Sequence, residues 1–307
     1  MMRNYLHIDG QDTYTTYGVY LTDGSYKSLI AYPASKEVTT DNWLEEDGIE
    51  ADLSEPKLNT RELTLNFAYG RLADLPSLID LICDGAYHTF AFPKLGRTYT
   101  LRLSQMPSLR TLPSMGTLSL KFADDRPLYG YTYQAPESTV ATCEDYFLDT
   151  RPLTDYGCRV LKGTLDEFSK MPATKVNLLQ NNKTMQGAIY DSNVVLYQSK
   201  DVKLQLLMRA ETLTELWRNY DALLYDLTRA NLRQVKCAAL DQVFPCYYKS
   251  SSVSRFYPDG KIWLEFDITL TITGNLRPEE LGLYLAAESA DYLTTEDEKY
   301  FDMMPTL

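Results

Sequence analysis

The chain repeats its own short sequence patterns at the spacing of a whole domain. Tyr17-Gly18 is followed by Pro33-Ala34-Ser35-Lys36, and 139 residues later Tyr156-Gly157 is followed, at the same spacing, by Pro172-Ala173-Thr174-Lys175. Solenoid and propeller repeats recur roughly every 20–50 residues, whereas domains cluster at about 100–150 residues. The spacing therefore predicts two copies of one domain rather than an array of small repeats.

A second pair of patterns supports the same interpretation. Arg126-Pro127 leads to Ala135-Pro136-Glu137-Ser138, and 151 residues later Arg277-Pro278 leads to Ala286-Ala287-Glu288-Ser289. The patterns keep their order, and their offset drifts only from 139 to 151 residues. We therefore predict a tandem duplication, with a first domain and linker arm over residues 1–140 and a second domain with an acidic C-terminal arm over residues 141–307.

The composition is that of an ordinary globular protein. Of the 307 residues, 44% are hydrophobic and 23% are charged, and each half is long enough to bury a core. No segment approaches the roughly 20 consecutive apolar residues that a membrane helix needs. The first residues lack the pattern of a secretory signal. The five cysteines show no C-x-x-C spacing, so we expect reduced thiols in a cytoplasmic product.

The negative charge is concentrated in two segments. A net charge of −12 argues against a basic surface that wraps nucleic acid. Residues 41–56, called the acidic loop below, hold seven acids and no base. The acidic residues of this loop, which we predict to take part in assembly, are Asp41, Glu45, Glu46, Asp47, Glu50, Asp52 and Glu55. The loop is either a solvated segment or a surface that faces a partner or a sliding polyanion.

The second acidic segment follows Pro278 and holds eight acids and one base. It partly repeats the aromatic and acidic pattern of residues 128–152, where the halves join, so each domain is predicted to end in a similar arm. The arm residues predicted to take part in assembly are Tyr292, Glu296, Asp297, Tyr300 and Phe301. A free arm either reaches a neighbouring chain or is a frayed terminus.

Each half has the pattern of strands, one helix, and further strands. Apolar residues alternate with polar ones over 62–67, 100–103, 117–122, 204–208 and 262–272, as in half-buried strands. Asp74 is placed to cap a helix that ends near Gly85, and Thr212 with Glu215 forms a capping box before a second helix. The chain is therefore predicted to be mainly β, with two antiparallel sandwich or barrel domains and one helix per domain.

The sequence contains almost none of the residue patterns that indicate catalysis. The two histidines, His7 and His88, have no cysteine at metal-binding spacing, and no nucleophile, zinc or phosphate-binding motif occurs. We therefore expect no enzymatic activity, no catalytic residues, no cofactor and no metal. The 24 tyrosines serve either strand packing or protein contacts, because a buried phenol ring also needs a partner for its hydroxyl.

The order of elements resembles the tail-tube fold of bacteriophage tails and related injection machines. Tyr17-Gly18-Val19-Tyr20-Leu21, a turn, Leu29-Ile30-Ala31-Tyr32-Pro33 and a long loop before Leu63-Thr64-Leu65-Asn66-Phe67 resemble the start of distal-tail and tail-tube proteins. The resemblance covers most of both halves and is carried by element order and duplication. It implies sheets that line a channel and long loops that clamp neighbours. The acidic loop would be one clamp, and its counterpart over 180–193 carries less charge.

The resemblance implies a structural component of a phage tail, either a distal-tail or baseplate hub protein or a tube ring. Such a chain would assemble with itself into a closed ring, as a trimer of two-domain chains or as a hexamer, and would contact other tail proteins. DNA would be only a passing cargo of the channel, and no membrane would be involved. The protein would be made in the bacterial host cytoplasm and would reside in the virion tail.

Two other classes of function stay open. A carbohydrate- or receptor-binding β-module of a phage or bacterial surface apparatus predicts a monomer or small oligomer with an exposed aromatic cleft. A glycoside-acting enzyme predicts a pocket that holds two close carboxylates. Rings with a central hole would favour the tail protein over both.

Overall fold

The alternating segments of the sequence form the central strands of the structure, a computed structural model. It describes residues 6–22, 26–105, 115–175, 179–180, 183–184, 186–187, 189–190 and 195–277. Leu63, Leu65 and Phe67 are buried on one face of a nine-residue strand, while the residues between them are more exposed. The run that begins at Ile262 and ends at Ile272 behaves in the same way. The prediction of a mainly β fold with antiparallel sheets is confirmed.

The strands of the first half run between residues 7 and 124. In chain order they are β1 His7–Ile8, β2 Gln11–Asp12, β3 Val19–Leu21, β4 Thr40–Asp41, β5 Glu50–Ala51, β6 Arg61–Tyr69, β7 His88–Phe92, β8 Arg97–Gln105 and β9 Gly116–Asp124. The strands of the second half run between residues 146 and 272. They are β10 Tyr146–Leu148, β11 Arg151–Pro152, β12 Cys158–Val160, β13 Leu179–Gln180, β14 Ile189–Tyr190, β15 Lys200–Ala210, β16 Arg233–Cys237, β17 Gln242–Tyr257 and β18 Ile262–Ile272.

The two halves have the same sheet topology over the part of the chain that is described. The first half forms a seven-stranded sheet in the order β2-β1-β7-β8-β9-β6-β3, and the second forms one in the order β11-β10-β16-β17-β18-β15-β12. Each position in the first order is filled by the corresponding strand in the second. Every pairing in both sheets is antiparallel.

Each half also forms a small hairpin outside its main sheet. In the first half Thr40 pairs with Ala51, and in the second Leu179 pairs with Tyr190. These pairs correspond residue by residue at the 139-residue offset that the repeated patterns show. Isolated bridges flank both hairpins at the same offset, between Ser35 and Leu58 and between Thr174 and Tyr197.

The predicted helices are present, and short helices accompany them. The helix numbering is α1 Thr13–Tyr17, α2 Tyr26–Ile30, α3 Leu75–Ile82, α4 Thr164–Ser169 and α5 Leu213–Leu227. Asp74 and Thr212 accept hydrogen bonds from the first turns of α3 and α5, as their positions predict. The prediction of one helix per domain omitted the short helices, which are fixed locally; α1, for example, lies between an Asp12 cap and left-handed Gly18. No helix in the described ranges is long and apolar enough to cross a membrane.

The segment that joins the two sheets packs along α5. Asn219, which is fully buried, accepts a hydrogen bond from the Glu137 backbone and donates one to its carbonyl, both at 2.9 Å. Tyr133 donates to Asp226 near the end of the same helix. The connecting segment is therefore packed against α5 of the second half.

Candidate assembly interface

The acidic loop of the first half packs on the second half through its backbone. The Lys175 ammonium donates hydrogen bonds to the carbonyl oxygens of Trp43, Glu46 and Gly48, at 2.8, 2.7 and 2.6 Å. Lys175 is only 4% exposed. A buried ammonium has three donors to satisfy, and the loop supplies three acceptors. The contact is therefore a complete site for one lysine, built from the backbone of the other half.

Backbone and side-chain contacts extend this site on both sides. Asp47 accepts a hydrogen bond from the Tyr197 backbone at 2.7 Å and one from Arg277 at 2.7 Å. The Gly48 amide donates to the Tyr197 carbonyl, and Asn231 donates to the Leu53 carbonyl. Together these bonds hold the loop along one edge of the second half.

Gly48 brings the two backbones close together. It has a left-handed φ of +69°, and a Cβ at this position would lie 1.8 Å from the Thr273 carbonyl oxygen. Only glycine fits such an approach without displacing the neighbouring backbone. The glycine therefore permits the seating of the loop on the second half.

The predicted assembly residues have different positions in the structure. Asp47 bonds to the second half, whereas Glu50 accepts from Trp43 and Asp52 from the Ser54 amide, both within the loop. Glu55 accepts from Lys57, which follows the loop. Asp41, Glu45 and Glu46 have exposed side chains. The C-terminal arm residues Tyr292, Glu296, Asp297, Tyr300 and Phe301 lie outside the described residues.

A buried tyrosine cluster also joins the halves. Tyr32 stacks on Tyr220 of α5 with ring centroids 4.0 Å apart. The Tyr32 hydroxyl donates to the Tyr220 carbonyl at 2.6 Å, and the Tyr220 hydroxyl donates to the Ile30 carbonyl at 3.0 Å. Burial raises the pKa of both phenols well above its usual value, so both remain donors. Tyr248 of β17 donates to the Pro33 carbonyl.

Charged and indole groups continue the interface toward β8. Arg97 forms an ion pair with Asp221 of α5 and lies 4.4 Å from the Trp217 ring centroid. Burial raises the pKa of Asp221, and the adjacent Arg97 opposes this rise. The Trp217 indole donates a hydrogen bond to the Leu95 carbonyl. The face of α5 that packs on the first half thus combines an apolar ring with polar groups that have partners, since both the Trp217 indole and the Asp221 carboxylate are paired.

A cavity of about 560 Å³ opens beside this part of the interface. Its lining comes from both halves and from the connecting segment, and includes Tyr87, Arg97, Asp125, Tyr129 and Asp221. Tyr129 is largely exposed, and Tyr87 donates to Asp125, which also pairs with Arg102. Aromatic rings beside paired charges give the cavity features of a polar-ligand site.

Sequence reasoning assigned the acidic loop to assembly because of its charge, but missed Lys175 and the tyrosines at the contact. Lys175 stands in one of the repeated patterns, Pro172-Ala173-Thr174-Lys175, and this repetition was the available signal. The loop binds mainly through carbonyl groups, which every sequence possesses. The charge pattern of the loop therefore could not predict which of its groups make the contact.

Comparisons with known proteins give little beyond these observations. No protein-family model matches the chain, and no curated protein matches its sequence. The chain is similar to the crystal structure of the Dit protein (gp 19.1) of phage SPP1, described as a paradigm of the hub adsorption apparatus in phages that infect Gram-positive bacteria. The sequence identity is 12% and the TM-score 0.29, over 87% of this chain and 98% of the Dit chain. A TM-score this low supports no conclusion, so we base the function on the chain's own contacts.

Proposed function

We propose that the chain is a non-enzymatic structural component of a phage tail that assembles into a closed ring around the DNA channel. The single observation that carries this proposal is the contact between the halves. The loop at the hairpin of the first half seats on Lys175 and Tyr197, which lie at the base of the corresponding hairpin of the second half. A contact between two different surfaces of like domains is heterologous, and repetition of such a contact generates a ring when the rotation between the domains closes.

The equivalence of the halves favours a ring of three chains. Both halves have the same strand order and both have the hairpin outside the main sheet. Three chains would therefore place six like domains around a channel. A hexamer in which only the first domain forms the ring would leave the second hairpin and sheet without a matching role.

The charge of the protein fits a channel through which DNA passes. A chain with a net charge of −12 repels phosphate groups at short range, and this repulsion falls off within about 10 Å at 0.1 M salt. DNA in such a channel would be a transient cargo without a fixed binding site. Other tail proteins would stack on the two faces of the ring.

Electron microscopy of the purified full chain, with native mass spectrometry over a range of concentrations, tests the proposal. We expect rings with a central hole and a mass of three chains. A mass of six chains with six peripheral lobes would select the hexamer. A chain that stays monomeric over the whole range would contradict ring assembly.

The cavity beside the interface favours one alternative, a carbohydrate- or receptor-binding module. Exposed Tyr129 and the Arg102–Asp125 pair are groups that stack on and hydrogen-bond to sugars. Binding of a glycan library to the wild-type chain and to Tyr129→Ala would test it. Loss of glycan binding in the variant would support this function. Equal binding by both chains, or binding by neither, would exclude the cavity as a glycan-binding site.

A further inference from the structure

The two lysines of the repeated pattern occupy the same backbone position but have different surroundings. The Lys36 amide donates to the Lys57 carbonyl at 2.8 Å, and the Lys175 amide donates to the Leu196 carbonyl at 2.6 Å. These partners correspond at the 139-residue offset. Lys175 is buried under the acidic loop, whereas Lys36 is exposed, and its ammonium has no hydrogen bond or ion pair among the described residues. The first half therefore presents the same receiving lysine, and no loop in the described part of the chain covers it.

The hairpins that follow these lysines also differ in their surroundings, but here it is the hairpin of the first half that is covered. Gly187 corresponds to Gly48 at the same offset and has the same left-handed backbone, with φ of +78° against +69°. A Cβ on Gly48 would collide with the backbone of the second half, whereas a Cβ on Gly187 would have no atom within 4 Å among the described residues. Among the described residues, nothing therefore packs against the glycine of the second half's hairpin.

A third pair of positions shows the same difference. Tyr32 is 5% exposed because it stacks on α5, and its counterpart at the 139-residue offset, Met171, is 40% exposed. Ser35 donates from its backbone to the Lys249 carbonyl across the interface, while its counterpart Thr174 is exposed. The edge of the first half that contacts the second half therefore has an uncovered equivalent on the second half itself.

We infer that the Lys36 face of one chain receives the β13–β14 hairpin of a second copy of the same chain, in the manner in which Lys175 receives the acidic loop. This inference rests on the proposed function, since it supplies the contact that would join chains into the ring. The Gly187 carbonyl would accept a hydrogen bond from the Lys36 ammonium, as the Gly48 carbonyl does from Lys175. The low charge of the hairpin is compatible with this role, because the contact within the chain is made by carbonyl groups.

Self-association of full-length variants, followed by sedimentation velocity over a concentration series, tests the contact. Lys36→Glu places a carboxylate against carbonyl oxygens, and we expect association to weaken about tenfold or more. Gly187→Ala should weaken it also, because the added Cβ would meet the receiving backbone. The matched controls are Lys162→Glu, at an exposed lysine of the second half, and Gly10→Ala, at a left-handed glycine with open space around it.

Cross-linking identifies the partner directly. A mixture of isotopically labelled and unlabelled wild-type chains is treated with a lysine-specific cross-linker, and mixed-isotope peptides report links between chains. We expect a link between Lys36 of one chain and Lys183, in the hairpin segment, of another. Unchanged association in both Lys36→Glu and Gly187→Ala, or Lys36–Lys183 links that are only within one chain, would overturn the inference.

The same experiments separate this inference from the proposed function. Rings that form equally well in wild type and Lys36→Glu would retain the function and overturn the Lys36 contact. Open dimers that carry the mixed-isotope link but never close would support the contact and contradict the ring.

Discussion

The first and second halves of this chain fold alike, yet each buries a different side of the shared fold. The first half covers its hairpin and its Tyr32 edge, whereas the second covers its lysine and the face of α5. The repeated patterns around Lys36 and Lys175 do not explain this difference, because they are nearly identical. The contact between the halves produces it, since each half meets the other with a different side.

The helices show how far the halves have adapted to these positions. In the first half α3 covers eight residues and buries leucine and isoleucine. In the second half α5 covers fifteen residues and adds Trp217 and Tyr220, which contact the first half. The helix that lies between the two halves is therefore the longer and more aromatic one.

The largest expected difference between the halves is the loss in free energy of unfolding when the lysine of the repeated pattern is replaced. Lys175→Met keeps the length of the stem but leaves three carbonyl groups without their donor. Because each unsatisfied buried polar group costs about 1–3 kcal/mol, we expect the free energy of unfolding to fall by roughly 3 kcal/mol. Lys36→Met at the exposed position should change it by less than about 0.5 kcal/mol. Urea denaturation measures both, and equal effects would contradict the assignment of Lys175 as the occupied site.

The second comparison is between the two left-handed glycines. Gly48→Ala combines backbone strain with a collision against the Thr273 carbonyl, and we expect a loss of about 2–3 kcal/mol. Gly187→Ala has only the strain, which costs about 1–2 kcal/mol. Thermal unfolding of monomeric samples at low concentration measures the difference. A Gly48→Ala chain no less stable than Gly187→Ala would show that the loop does not seat as described.

The sequence predicted the parts of the fold that depend on local pattern. Period-2 alternation located β6, β9, β15 and β18, and capping residues located α3 and α5, because burial of one face imposes these patterns. Asp47 of the acidic loop bonds to the second half, and the role of the loop in assembly between chains stays a prediction. The other acids of the loop bond within it or are exposed.

The contact itself was beyond prediction from sequence for a physical reason. Lys36 and Lys175 have nearly the same local sequence and the same backbone, so no local rule distinguishes the buried lysine from the exposed one. The acceptors are main-chain carbonyls, which leave no signature in residue type. Only the three-dimensional relation between the halves determines which lysine is covered.

The third comparison is between Tyr32 and its exposed counterpart. Tyr32→Phe removes the hydroxyl that donates to the Tyr220 carbonyl while leaving the ring stack in place. We expect a loss of about 1 kcal/mol, the net value of one buried hydrogen bond. Met171→Leu, at the exposed position, should be within about 0.5 kcal/mol of wild type. Denaturant midpoints of the monomer measure both, and a neutral Tyr32→Phe would argue that this hydrogen bond contributes nothing to the interface.

The smallest expected effect concerns pH and a pair of equivalent ion pairs. Asp9 and Asp149 have left-handed backbones and accept hydrogen bonds from the Thr89 and Gln234 amides, respectively. Beside them the first half has a histidine and the second an arginine. His88 lies 2.6 Å from Asp9 and 3.0 Å from Asp84, whereas Arg233 lies 2.9 Å from Asp149.

Because the first half has a histidine where the second has an arginine, we expect the stability of the first half alone to depend on pH through this pair. Burial lowers the pKa of His88. The hydrogen bonds and the negative charges of Asp9 and Asp84 raise it by more than burial lowers it, so the folded pKa lies above the usual value. Its stabilisation is therefore fully present below about pH 6.5, the unfolded pKa, and is lost as the pH rises through the folded pKa. In His88→Arg, which reproduces the second half, this loss between pH 6 and 9 should disappear while the ion pair remains. Unfolding midpoints across that range measure it. An identical pH profile in wild type and variant would mean that the His88 pair does not contribute to stability, and that the two halves differ here in sequence but not in energetics.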